Sequence, residues 1–227
     1  MSVVLITGAN RGLGLEFARQ YAAEGWQVLA TVREPDRAEA LAALPGAVTL
    51  LPLEVASADS VAALAEQLEG QPVDVLINNA GIYGPHGDRP GTFDYVAWQQ
   101  VLVTNTLGPL RVTEALLPNL RAGRQKKIIA ISSLMGSMTD NTGGGSYAYR
   151  SSKAGLNAAM KSLGIDLKRE GFIVAILNPG WVRTDMGGPA APLEARNSIA
   201  GMRRVIDRLT EEDSGRFLNH DGHELPW

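Results

Sequence analysis

The chain has 227 residues, 45% of them hydrophobic, which is enough for one large domain with a single well-buried core. A net charge of −3 leaves no basic surface for nucleic-acid phosphates, and the absence of cysteine excludes disulfides, a thiolate nucleophile and cysteine-based metal sites. The first residues lack the basic flank and cleavage pattern of a signal peptide, and no apolar run nears the roughly 20 residues that span a bilayer, so a soluble, cytoplasmic protein without a membrane partner is expected.

Val3–Thr7 is the first of six short, nearly continuous apolar runs rich in branched residues; the others are 27–32, 48–53, 73–77, 127–132 and 173–177. Runs of this length and character suit strands buried on both faces of a parallel sheet. Segments of helical period lie between them. Phe17, Ala18 and Tyr21 make one apolar face; Val61, Leu64 and Leu68, preceded by Ser57 as N-cap, make another. Ile199, Met202, Val205, Ile206 and Leu209 make a third, and 189–209 is predicted to form a lid-like helical segment. A seventh short strand is predicted near 216–218. The alternation predicts a doubly wound (Rossmann) α/β fold: a seven-stranded, mainly parallel sheet with helices on both faces, residues 1–227 forming one domain.

Ligands of such sheets bind beyond the carboxyl ends of the strands. The first strand runs into Thr7-Gly8-Ala9-Asn10-Arg11-Gly12-Leu13-Gly14 and then a helical pattern. Glycines there allow a tight turn, close approach to a pyrophosphate and close helix–strand packing, with the helix N-terminus facing the anion. The spacing differs from Gly-x-Gly-x-x-Gly, and no Walker lysine follows. An acidic residue at the end of the second strand would favour the ribose 2′-hydroxyl of NAD; Arg33 stands there instead, and Arg11 lies in the glycine turn. Two cations suit a 2′-phosphate and favour NADP(H) over NAD(H). The bland alternative is a pair of solvated surface arginines.

Tyr149 and Lys153 are four residues apart, so on a helix they share a face. Alone, such a pair is usually an ordinary amphipathic surface. Further motifs stand with it: Asn78-Asn79-Ala80-Gly81, Asn105, Ser133, and Pro179-Gly180-Trp181-Val182-Arg183-Thr184. With these and the glycine turn in this order, the chain resembles the short-chain dehydrogenase/reductase family from end to end. The stretches 147–154 and 178–188, and the closing Asp221-Gly222-x-x-Leu225-Pro226-Trp227, resemble its C-factor and sniffer-like carbonyl reductases.

The resemblance implies an NADP-dependent oxidoreductase that interconverts a carbonyl compound and its alcohol. Tyr149 would exchange a proton with the substrate oxygen, Lys153 would lower the tyrosine's pKa and bind the nicotinamide ribose, Ser133 would hold the carbonyl oxygen, and Asn105 would order a relay water. Ser133 is preferred to Ser132 because the family's serine precedes a glycine by three, here Gly136. Asn79, Ala80 and Gly81 would pass near the adenine ribose; Pro179, Gly180, Val182 and Thr184 would meet the nicotinamide carboxamide. Asn78 could instead stitch strands together, and Pro179-Gly180 could be a simple turn.

Three features depart from the family pattern. Glu54-Val55 stands where an aspartate usually precedes the valine, which leaves an adenine contact from Glu54 open. The interval from Ser133 to Tyr149, with Gly143-Gly144-Gly145, is long and suggests a substrate-side loop. Tyr147 is nearby but has no basic residue four positions on. Tyr83, Met135, Met138, Trp181 and Met186 either line a pocket for a small apolar or aromatic carbonyl substrate or pack in the core. A homodimer or homotetramer is implied by the family alone. No Gly-x-Ser-x-Gly elbow supports serine hydrolysis, and His220-Asp221-Gly222-His223-Glu224 reads as a polar turn rather than a metal site. The rival reading is a cofactor-binding regulatory or signalling protein with little turnover.

Overall fold

The computed structural model describes residues 1–87 and 89–227. In chain order the first half comprises β1 (Val3–Thr7), α1 (Gly12–Ala23), β2 (Gln27–Val32), α2 (Glu39–Ala42), β3 (Val48–Pro52), α3 (Ala58–Gln67), β4 (Val75–Asn78), α4 (Tyr95–Leu102), α5 (Gly108–Ala115) and α6 (Leu117–Ala122). The second half comprises β5 (Lys127–Ile131), α7 (Tyr147–Asp166), β6 (Ile173–Asn178), β7 (Val182–Arg183), β8 (Leu193–Glu194), α8 (Ala195–Arg208) and β9 (Phe217–Asn219). Among the described residues no helix is long and apolar enough to cross a membrane.

Seven strands form one parallel sheet in the order β3-β2-β1-β4-β5-β6-β9. The central strands are apolar along their whole length because alternate residues feed two cores. Leu5, Leu29, Leu76 and Ile128 point to the side covered by Val61 and Leu64 of α3, Val112 of α5 and Leu156 of α7. Val4, Ile6, Val28, Ile77 and Ile129 point to the side covered by Phe17 and Tyr21 of α1 and Ile199 and Met202 of α8. Chain order turns back between β1 and β4, so the crevice outside their carboxyl ends is the fold's natural ligand site.

Ser57 caps α3 as predicted, its hydroxyl accepting from the Ser60 N–H at 3.2 Å. The predicted seventh strand lies one residue later, at β9. The segment 189–209 is not a lid: Ile199, Met202 and Ile206 are buried, and α8 is a covering helix of the sheet. Its last carbonyls are met by the buried Lys127, whose ammonium donates to Ile206 O at 2.7 Å. Two features were not predicted. One is the small parallel ribbon β7–β8; the other is a π-helical turn, Val103–Leu107, between α4 and α5. The polar C-terminal stretch makes a tight turn after β9, with Asn219 N–H donating to His223 O and Gly222 N–H to Asn219 O.

Candidate active site

A cavity of about 660 Å³ opens at the switch point. The loops after β1 and β4 meet there. Gly8 has φ 66°, and a Cβ on it would stand 3.0 Å from Ala80 Cα. A Cβ on Gly14 would stand 2.2 Å from Gly8 O, so only glycine lets α1 start this close to the turn. Thr7 holds the second loop: its hydroxyl accepts the N–H groups of Asn79 and Ala80, each at 2.9 Å. The Asn79 amide returns the contact, donating to Thr7 O and Gly8 O at 2.8 and 3.1 Å. Asn79 therefore shapes the glycine turn besides lining the cavity. Asn78 bonds to Thr113 of α5 at 3.1 Å and does not stitch two strands.

The first turn of α1 carries no acidic residue, and no side chain caps it. Its free N–H groups, beside glycines that admit a close approach, form a cradle of the kind that holds a pyrophosphate. Gly8, Asn10, Arg11, Gly12 and Leu13 line the cavity from this side, and Arg33, Glu54 and Val55 line it beyond the ends of β2 and β3. Ala80, Gly81, Pro179 and Thr184 complete the predicted set found on the wall. Gly14, Gly180 and Val182 are not on it. Val182 is buried, and Gly180, at φ 82°, packs against His220. Both arginines already have carboxylate partners: Arg11 contacts Asp185 at 2.9 Å and Arg33 faces Glu54 at 3.9 Å. Glu54 was expected as a possible adenine contact, and neither ion pair was predicted, because each joins segments distant in sequence.

At the inner end, α7 brings Tyr149 and Lys153 onto the cavity wall. Lys153 is buried; its ammonium donates to Ile131 O at 2.8 Å and lies 5.7 Å from the centre of the Tyr149 ring. Burial lowers its pKa to about 8. Burial also dominates at Tyr149 and pushes the phenol up to about 12; the Ser133 hydroxyl pulls it down and Tyr83 pushes it up further. The lowering expected of a neighbouring ammonium does not appear: desolvation of the phenolate dominates, and the phenol holds its proton at neutral pH. Tyr147, by contrast, packs among Phe93 and Trp98.

The two serines separate clearly. Ser132 is buried and its hydroxyl donates to Asn157 at 2.5 Å, so it lines the cavity with that hydroxyl already committed. The Ser133 hydroxyl, half-buried and just behind the cavity wall, accepts the Met135 N–H at 3.1 Å and lies beside Tyr149. Gly136 explains the spacing, since a Cβ there would stand 2.9 Å from the Lys153 backbone. Glycine lets the Ser133 turn sit directly on α7.

Asn105 lies in the π-helical turn, fully buried. Its amide donates to Ile82 O at 2.8 Å and Ser152 Oγ at 3.0 Å, and its Oδ1 accepts from Ile82 N–H at 2.8 Å. A Cβ on Gly81 would stand 3.2 Å from that Oδ1 and 3.7 Å from Lys153 Nζ, so glycine leaves an atom-sized gap reaching both groups.

On the open side, Tyr83 stacks on Tyr149 with centroids 4.6 Å apart, and His86 stacks on Tyr83 at 4.8 Å. The Tyr83 hydroxyl bonds to Ser146 at 2.8 Å, which ties the long loop before α7 to this stack. Of the five predicted pocket residues, Met186 lines the cavity, while Met138 and Trp181 stand exposed beyond it and Met135 is half-buried. None belongs to the buried core.

The chain matches the short chain dehydrogenase family model over residues 2–194. It is 53% identical over 156 residues to C-signal of Myxococcus xanthus, covering 69% of this chain and 93% of that protein. Among solved structures, carbonyl reductase Sniffer of D. melanogaster is 37% identical with a TM-score of 0.91, covering 100% of this chain and 99% of that one. An NADPH-bound carbonyl reductase from chicken fatty liver is 36% identical, also with a TM-score of 0.91, over 100% of both chains. A glycine turn at the switch point, a tyrosine and lysine on one helical face and a match along most of the chain agree: this protein belongs to the short chain dehydrogenase family of oxidoreductases.

Proposed function

We propose that the protein is an NADP(H)-dependent enzyme that interconverts a ketone or aldehyde with its alcohol, and that Tyr149 is its general acid/base. The observation that carries this reading is the inner end of the cavity. There a protonated phenol and a buried ammonium stand on the cavity wall, with the Ser133 hydroxyl beside the phenol, near a glycine cradle suited to a dinucleotide. The solved carbonyl reductase that contains NADPH supports the choice of cofactor, as do the two arginines on the cavity wall.

Gly8, Gly12 and the first turn of α1 would hold the pyrophosphate, Arg33 the 2′-phosphate, Ala80 and Val55 the adenosine, and Pro179 and Thr184 the nicotinamide end. When bound, the dinucleotide supplies or accepts the hydride. The Ser133 hydroxyl would donate to the carbonyl oxygen and Tyr149 would deliver its proton to that oxygen as charge develops there. Lys153 would hold the ribose hydroxyls and, with Asn105, restore the proton to Tyr149. A water in the gap beside Gly81 would reach both Asn105 Oδ1, which keeps a free lone pair, and Lys153 Nζ. The substrate would enter over Tyr83 and Met186, surfaces suited to apolar or aromatic carbonyl compounds.

The identity to C-signal favours a second reading, in which a dinucleotide-binding protein serves signalling with little turnover. Purified protein, NADPH and a panel of aldehydes, ketones and quinones distinguish the two. Oxidation of NADPH dependent on a carbonyl compound is the expected result. Tight NADPH binding with no turnover across the panel would favour the regulator.

A further inference from the structure

Arg33 is the cation offered to a 2′-phosphate, yet it does not stand alone. The register of β2 on β3, with Val32 opposite Pro52, brings Arg33 and Glu54 out of the sheet side by side on the cavity wall. Glu54 is held there. One carboxylate oxygen accepts the Ala56 N–H at 3.1 Å, and its own N–H donates to Ser60 Oγ at 2.9 Å. The other oxygen faces the Arg33 guanidinium at 3.9 Å. Glu34, adjacent in sequence, is turned instead to Arg37 at 2.9 Å. The pair is open to solvent, with side chains 75% and 40% exposed, and such pairs add little to folding stability. Its consequence lies in what else can occupy the position.

We propose that Glu54 sets how strongly the cavity distinguishes NADP from NAD. The inference rests on the dinucleotide reading above. A 2′-phosphate seeking Arg33 meets a resident carboxylate of its own charge sign, which both neutralises the guanidinium and repels the incoming anion. A 2′-hydroxyl carries no charge and meets no such repulsion. Arg33 therefore pulls selectivity toward NADP and Glu54 pulls it back. An aspartate, one carbon shorter, would reach less far toward the guanidinium.

Calorimetric titration of Glu54→Gln with NADP⁺ and NAD⁺ separately tests this. Glutamine keeps the length and an acceptor for Ala56 N–H but removes the charge. The expected result is NADP⁺ bound about five-fold more tightly than by the unmodified protein, from loss of the carboxylate that neutralises Arg33 at 3.9 Å in a solvent-exposed setting, with NAD⁺ bound no more tightly. The gain should shrink at high salt. Arg33→Asp, measured alongside, should weaken NADP⁺ selectively. An unchanged ratio of the two dissociation constants in Glu54→Gln, with both nucleotides still binding, would overturn this inference alone. Failure of the unmodified protein to bind either nucleotide would overturn the dinucleotide reading as well.

Discussion

Lys153 and Tyr149 sit in one dry corner, and burial drives both toward their neutral forms. For the lysine the ammonium is disfavoured, so its pKa falls to about 8; for the tyrosine the phenolate is disfavoured, so its pKa rises to about 12. The sign for carbonyl reduction follows. Below about pH 8 both groups carry the proton that reduction needs; above it Lys153 loses its charge while Tyr149 still holds its proton. The kcat/KM for NADPH, which reports the free enzyme, should therefore fall as pH rises through about 8. A profile flat up to pH ~10, the ordinary range of lysine, would contradict the assignment. At this scale the sequence was informative where a side chain does its own chemistry. Ser133, Tyr149 and Lys153 were legible as candidates because their proposed chemistry rests on their identity and spacing. The pairings of Glu54 with Arg33 and of Asp185 with Arg11 were not legible, since they depend on strand register and loop closure.

At the scale of elements, the loop after β4 and the π-helical turn form one device. The turn pushes Asn105 inward, where it grips both main-chain groups of Ile82 and so fixes the loop that carries Gly81. Gly81→Ala would put a methyl group in the gap between Asn105 and Lys153 without severe overlap, since its contacts would be 3.2 and 3.7 Å. The expected outcome is a kcat lowered by at least about ten-fold, within the range for impaired proton transfer, with Tm little changed. Full activity in that variant would remove the relay. The strands around this device were readable because a buried parallel strand needs an unbroken apolar run. The π-helical turn was not, although Val103-Thr104-Asn105-Thr106 is a run of weak helix formers that marks a helix under stress. The lid predicted at 189–209 failed for a related reason: Ile199, Met202 and Ile206 make an apolar stripe that serves a sheet-covering helix equally well, and packing on α1 decides between the two.

For the whole molecule, the sheet order and the reversal at β1 and β4 place the glycine turn, the Asn79-Ala80-Gly81 loop and the α7 face around one cavity. That convergence of segments from across the chain turns a common Tyr-x-x-x-Lys spacing into a site. The central claim, that Tyr149 supplies the proton in a site built on NADP(H), separates binding from chemistry. Tyr149→Phe keeps the ring that stacks on Tyr83 and removes only the hydroxyl. Measured by NADPH titration and single-turnover reduction of a carbonyl substrate, the variant should bind NADPH within about two-fold of the unmodified protein and lose turnover by at least about a hundred-fold. Turnover retained within ten-fold, with binding intact, would contradict the account.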